Sequence, residues 1–241
     1  MKKLSVVIPA YNEEKRICKT LAHVFNYLSH KDYKHEIIVV NDASSDDTLK
    51  KIRTYNFQKS GTKLVIINHK HNQGKGAAVK NGILASTGDY ILFMDADNST
   101  KINEIDKILP YIKSHEVVIG SRYLKKNSIK LKQPLTRRII SRVGNIFIKL
   151  LLKINYADTQ CGFKLFQSKP AKKIFNKVTI DRWGFDIELL VIAEKLKYKI
   201  VEVAVNWYDS PQSQLRSGRD TIKTFNELIK IKKNLSAGIY N

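Results

Sequence analysis

The sequence predicts an α/β fold built on a mostly parallel sheet flanked by helices, and two observations carry that reading. Short β-branched runs recur without polar alternation, as strands buried on both faces do. Helical patterns separate them, so strand and helix alternate as in a doubly wound sheet. The runs are LSVVIP (4–9), EIIVV (36–40), KLVII (63–67), YILFM (90–94) and EVVIG (116–120). The helical patterns fall near 13–29, 46–58, 76–86 and 102–113.

After residue 120 the rhythm changes. A basic loop, KKNSIKLKQP, leads to a helix near 135–154, a DTQCGF segment, a helix near 184–197 and a strand, KIVEVAV. Neither a repeat nor a flexible linker intervenes. The expectation is one domain over 1–241, with residues 1–120 as one half and a helical and β second half, 121–241, packed onto it.

The 241 residues are 43% hydrophobic, enough for a sizeable core. Lys and Arg outnumber the acids 43 to 22, a net charge of +21 that favours phosphates, nucleic acid or an anionic membrane surface without choosing among them. Cys18 and Cys161 have no metal-ligand spacing, and a chain this long needs no disulfide framework, so a reducing compartment is expected. No apolar run approaches the roughly 20 residues that cross a bilayer, and MKKLSVVIPAYNEE lacks a signal-peptide core. A cytoplasmic protein, peripheral on the cytosolic face of a membrane, is the expectation.

Ligands of such sheets sit at the carboxyl ends of the strands. There the sequence places Tyr11, Asn12 and Glu13 after the first run, Asp42 after the second, and Asp95 with Asp97 after the fourth. Asp46 and Asp47 read as helix caps. Asp95 and Asp97 instead present two hard oxygen ligands at the end of a buried strand, where Mg²⁺ or Mn²⁺ could bridge them to a diphosphate. In HNQGKGAA (71–78), Lys75 stands between two glycines before a helix, which suits close approach of phosphate, although the same glycines could simply make a turn. Walker and dinucleotide fingerprints are absent. His69 and His71 lack a third ligand and read as surface histidines, and Trp183 and Trp207 as packing aromatics.

The helix near 135–154 is amphipathic. Ile139, Val143, Ile146, Leu150 and Ile154 recur at helical spacing, with Arg138, Arg142, Lys149 and Lys153 on another side and Arg137, Ser141 and Asn145 in a row beside them. This is an ordinary solvated helix or one that lies on an anionic bilayer.

VVIPAYNEE, VVNDASSDDT, NQGKGAAVKNG and FMDADNST, in this order, resemble the nucleotide-sugar half of a GT-A fold, family 2 glycosyltransferase. GSRY, RRIISRVGN, ADTQCGFKLF, RWGFDIELL and EVAVNW resemble its dolichyl-phosphate (polyprenyl-phosphate) sugar transferases, the β-glucosyltransferase subgroup above all. The resemblance spans residue 4 to about 215 and implies roles for matching residues. Pro9, Tyr11 and Glu13 would hold the nucleotide of a UDP-sugar, UDP-glucose before GDP-mannose, with Asp42 accepting from its base. Asp95 and Asp97 would hold the metal, and Lys75 the diphosphate. Arg122, Arg137 and Ser141 would receive the phosphate of a dolichyl or polyprenyl acceptor, while Asp158, Gln160, Arg182 and Trp183 would line the sugar pocket.

Three positions depart from the family pattern. Asn41 replaces a frequent Asp, Ser99 replaces a Gln of mannosyl relatives and weakens a mannose assignment, and Gln214 replaces a Lys between Ser213 and Leu215, with Arg216 or Arg219 as substitute charge. The implied reaction is a single inverting displacement at the anomeric carbon by the acceptor phosphate. Rival readings are a transferase to a hydroxyl, with Asp158 or Asp186 as general base, and a nucleic-acid-binding protein. The latter lacks any RNP, zinc-finger or helix-turn-helix signature, so no specific nucleic acid is expected.

Overall fold

The computed structural model describes residues 3–55, 62–125, 128–129, 135–208 and 219–241, with side chains except those of 135–143 and 219–222. In chain order the elements are β1 (Lys3–Ala10), α1 (Ile17–Leu28), β2 (Lys34–Asn41), α2 (Thr48–Thr54), β3 (Lys63–Asn68), α3 (Lys75–Ala85), β4 (Tyr90–Met94), α4 (Ile105–Ile108), β5 (Val117–Ser121), α5 (Leu135–Leu152), β6 (Phe163–Gln167), α6 (Ser168–Lys177), α7 (Phe185–Lys195), β7 (Ile200–Ala204) and α8 (Arg219–Ser236).

The strands form one sheet in the order β3-β2-β1-β4-β6-β5-β7. All neighbours are parallel except β6, which runs antiparallel to both β4 and β5. Its entry between them is the main departure from the sequence reading, which had DTQCGF as a motif without a strand behind it. Because β6 runs backwards, its start lies beside the end of β4: Met94 pairs with Phe163, and the Asp95 N–H donates to the Gly162 carbonyl at 3.1 Å. The DTQCGF segment is thereby delivered to the ligand edge.

Successive residues of each strand serve opposite faces. Val7, Ile38, Ile91 and Phe93 pack toward α3, α6 and α7, whereas Val6, Ile8, Ile37 and Leu92 pack toward α1 and α4. This double burial is why the runs read as uninterrupted hydrophobics.

Several helices differ from expectation. The 102–113 pattern breaks into 3₁₀ turns, Ile102–Glu104 and Leu109–Lys113, around the single turn of α4. Pro110 has no N–H to continue a helix. In α5 the inward side chains are Ile148 and Leu152, while Ile146 and Leu150 of the expected apolar row are 57% and 76% exposed. The helix ends at Leu152, and Lys153, at φ +57°, takes the left-handed conformation that closes a helix. Lys153 therefore does not continue the helical basic stripe. Helices α6 and α8 were not anticipated; α8 lies against α5, with Phe147 and Phe225 stacked at 5.5 Å.

Candidate active site

Strand ends supply the acids. Asp95 and Asp97 leave β4 in a turn that Asn98 makes possible at φ +58°, and the Ser99 N–H donates to Asp97 Oδ1 at 2.9 Å. Asp97 titrates above the usual carboxylate range, through burial first and the neighbouring Asp95 charge second. Glu13 is raised too: burial dominates, the Arg16 guanidinium at 2.5 Å opposes it, and Asp97 and Asp95 add repulsion. Three carboxyl groups thus converge with too little positive charge among them.

Lys75 begins α3 directly after Gly74, whose φ of +105° no other residue type adopts easily. A Cβ at Gly74 would also stand 2.4 Å from the Asp181 carbonyl, so this glycine is a requirement of close packing as well as of the turn. The Lys75 ammonium lies 2.7 Å from Asp95 Oδ1 and 4.0 Å from Asp186 Oδ2, and 5.2 Å from the centre of the Trp183 ring. Burial works to lower its pKa, yet Asp95 and then Asp186 hold it above the ordinary lysine value.

Asp42 is buried and fully engaged. Its Oδ1 accepts from His69 Nδ1 at 2.7 Å and from the Gln73 N–H at 2.8 Å; its Oδ2 accepts from Asn72 Nδ2 at 2.9 Å and the Gly74 N–H at 2.8 Å. A carboxylate offers about four acceptor positions. The expectation of a bond to a base ring therefore meets an Asp42 whose oxygens already hold the glycine-rich loop. His69, expected at the surface, is buried as the clamp on this acid. Asp46 caps α2 as expected, accepting from the Thr48 N–H at 3.0 Å; Asp47 makes no side-chain cap. Pro9 lies within β1, and Tyr11 is 40% exposed at its end.

A second cluster forms around Arg122, just past β5. Its Nε and terminal nitrogen donate to Asp158 at 2.7 and 2.8 Å, and its N–H donates to the same carboxylate at 2.9 Å. The guanidinium also faces the rings of Tyr123 and Trp207 at 5.3 and 5.6 Å. Asp158 is buried, which works to raise its pKa, but Arg122 holds it below the usual range. Glu202 of β7 fixes the segment by accepting from the Ala157 and Asp158 N–H groups at 2.7 and 2.8 Å. Asp158 thus holds Arg122 with both of its oxygens. Gln160 beside it is exposed, as is Arg182.

Asn145 of α5 donates to the carbonyls of Tyr156 and Ala157, at 3.3 and 2.7 Å, which brings that helix to the same segment. Arg137 and Ser141 lie earlier in α5, and their side chains, with those of Arg138, Ile139, Arg142 and Val143, fall outside the described residues, as do Ser213, Gln214, Leu215, Arg216 and the Arg219 side chain.

The structure therefore brings Glu13, Lys75, Asp95, Asp97 and Trp183 to one place and Arg122, Asp158 and Gln160 to another, with Asp158–Lys164 running between. Sequence reasoning missed Arg16, three residues after Glu13, and Lys164, a lone lysine inside the apolar run FKLFQ. A charge in a buried strand was a readable signal.

Among the described residues no three His, Cys, Asp or Glu side chains form a metal cage. The donor set nonetheless suits a hard divalent cation: two carboxylates one residue apart at a strand end fit an ion whose remaining ligands are substrate phosphates and water. Asp95 and Asp97 are the residues that would hold it.

Known proteins resemble this chain in sequence and in fold. The model of the family "Glycosyl transferase family 2" matches residues 5–175. A dolichyl-phosphate beta-glucosyltransferase of Dictyostelium discoideum is 36% identical over 248 residues, covering 98% of this chain and 76% of its own length. The Homo sapiens protein of the same name is 36% identical over 227 residues, covering 89% and 70%. Among solved structures, glucosyl-3-phosphoglycerate synthase of Mycobacterium tuberculosis, in complex with Mn²⁺, UDP-glucose and phosphoglyceric acid, shares the fold with a TM-score of 0.65 at 18% identity, over 96% of this chain and 80% of that one. From its strand-end acids to its family match, the chain belongs to glycosyl transferase family 2.

Proposed function

We propose that this glycosyltransferase moves glucose from UDP-glucose to the phosphate of dolichol or a related polyprenol, with inversion, giving a β-linked lipid phosphosugar. The relatives' shared activity supports the substrates. The observation that carries the acceptor class is the Arg122–Asp158 pair. A hydroxyl acceptor must lose a proton during attack, whereas a phosphate monoester is already ionised at pH 7, its second pKa lying near ~6. Asp158 is tied to Arg122, and Asp186 is paired with Lys164 and near Lys75, so both candidate bases have other work.

Asp95 and Asp97 would hold Mg²⁺ or Mn²⁺, whose chemistry there is to offset charge on the departing diphosphate. Lys75 adds an ammonium to the same end. Arg122, oriented by Asp158, would receive the acceptor phosphate, with Arg137 adding charge and Ser141 a hydroxyl as the family resemblance implies. Tyr11 and Glu13 border the nucleotide, over a loop shaped by Asp42. Supplying UDP-glucose with polyprenyl phosphate should yield product, and free polyprenol should yield none. Equal glycosylation of free polyprenol would replace this reading with the hydroxyl-acceptor transferase, and turnover of GDP-mannose in preference would shift the donor.

The proposal extends to a peripheral site on an anionic, cytosolic membrane face. No helix among the described residues is long and apolar enough to cross a membrane. Support comes from exposed Ile146, Phe147 and Leu150 on α5 beside exposed Phe225 and Ile229 on α8, in a chain of charge +21. Vesicles containing anionic lipid should bind the protein at low salt and release it as salt rises. Binding that ignores both lipid charge and salt would count against the site.

A further inference from the structure

Lys164 is the second residue of β6 and has no exposed surface at all. A buried ammonium is costly unless paired. Its Nζ donates to the Cys161 carbonyl at 2.7 Å and to Asp186 Oδ1, while Asp186 Oδ2 faces Lys75 at 4.0 Å and Lys75 lies 2.7 Å from Asp95 Oδ1. Four charges therefore alternate in sign from the core to the ligand edge. Three aromatic rings, Trp183, Phe93 and Phe185, stand 5.2, 5.3 and 5.9 Å from the Lys75 ammonium and confine it.

The arrangement poses a conflict at Asp95. A divalent cation held by Asp95 and the Lys75 ammonium compete for one carboxylate, and like charges at such range repel strongly in a partly buried site. Lys75 needs another acid to turn to, and among the described residues Asp186, at 4.0 Å, is the acid besides Asp95 within ion-pair distance. Lys164 occupies the other oxygen of Asp186 and keeps that carboxylate in place.

Resting on the donor-site reading above, we propose that Asp186, fixed by the buried Lys164, is a positioning residue for Lys75: it receives the Lys75 ammonium when a divalent cation takes Asp95, so that Lys75 stays at the diphosphate end. The alternative is that the Lys164–Asp186 pair only braces β6 against α7.

Mn²⁺ binding, followed by the paramagnetic resonance of the free ion with and without UDP, separates the two. Asp186→Asn keeps an oxygen for Lys164 but no charge for Lys75, and should weaken Mn²⁺ binding about tenfold, the scale of supporting groups around metal ligands. Lys75→Met removes the competitor and should tighten Mn²⁺ binding in the absence of UDP. In the double variant the Asp186→Asn effect should vanish, because its route runs through Lys75. Should buried Lys164 destabilise Asp186→Asn, the Lys164→Met, Asp186→Leu pair replaces the ions with apolar side chains, a change folds often tolerate, and should show the same weakening. An Asp186→Asn effect that persists unchanged with Met at 75, or wild-type affinity in the apolar pair, overturns the positioning role and leaves the donor site standing. Failure of the wild type to bind Mn²⁺ even with UDP removes the donor reading and this role together.

Discussion

Asp97 and Asp158 are both carboxylates on the ligand edge of one sheet, yet their surroundings pull them in opposite directions. Burial and Asp95 push Asp97 up, while a bidentate guanidinium pulls Asp158 down against the same burial. At the donor end, acids outnumber the cations that touch them, which readies the end for a divalent ion. Around Arg122 the one buried acid is matched by a guanidinium that it holds in place, so that end carries a balanced pair and no surplus of acid. On the proposed function, the first end would gain a cation and the second would receive an anion.

Four variants would break or sharpen that contrast. Asp97→Asn should lower kcat/KM by about 10²–10³-fold, the loss seen when one electrostatic contributor is removed, with the melting temperature unchanged; near-wild-type, metal-dependent turnover would remove Asp97 from the site. Gly162→Ala should follow. A Cβ there would stand 2.0 Å from Asp95 Oδ2, so the carboxylate must shift. A displacement near 1 Å at a reacting centre costs up to ~10²-fold, and steady-state kinetics with unchanged circular dichroism would show it.

Asp158→Asn tests the other end. It should raise the acceptor KM about tenfold through misplacement of Arg122 while barely moving the donor KM. Equal rises in both would mean that the pair supports the fold instead. The smallest effect on catalysis belongs to Glu36, far from either end, where Lys3, Ser5 and Thr87 overcome burial and lower its pKa to about 2. The folded pKa lies below the unfolded one, so Glu36 stabilises above about 4.5 and that contribution fades as pH falls toward 2. Glu36→Gln should cost ~2 kcal/mol at neutral pH, as loss of charged hydrogen bonds does, and flatten the acid limb of the stability curve. Turnover should not change.

Much of the donor half was legible. Strands buried on both faces announce themselves as unbroken apolar runs, and YILFM ends where β4 ends, so Asp95 and Asp97 could be placed at the edge from sequence alone. The partners of those acids were less so. Lys75 was visible in its glycine-flanked loop, but its pairing with Asp95 and approach to Asp186 depend on packing between distant segments. The pairing of Asp158 with Arg122 went unread because nothing local signals that an arginine 36 residues earlier closes on it. β6 escaped for a related reason: Lys164 interrupts its apolar run, and the ion pair with Asp186, 22 residues later, is what makes that charge acceptable inside a sheet. The register of α5 was misread because a helix tied through Asn145 to the 156–157 backbone and flanked by α8 need not bury its most regular apolar row.

The reversed strand also sets an order of assembly. Strands β1 to β4 can pair as they emerge, but the far side of β4 is completed only by Phe163–Gln167, and β5, made earlier, joins the sheet only through that same strand or β7. Until then YILFM presents an apolar edge with unpaired backbone groups, the kind of template on which chains adhere to one another. The non-local pairing makes this closing step slow relative to the helices around it. A nascent chain halted before residue 163 would thus be the form of this protein most prone to aggregate.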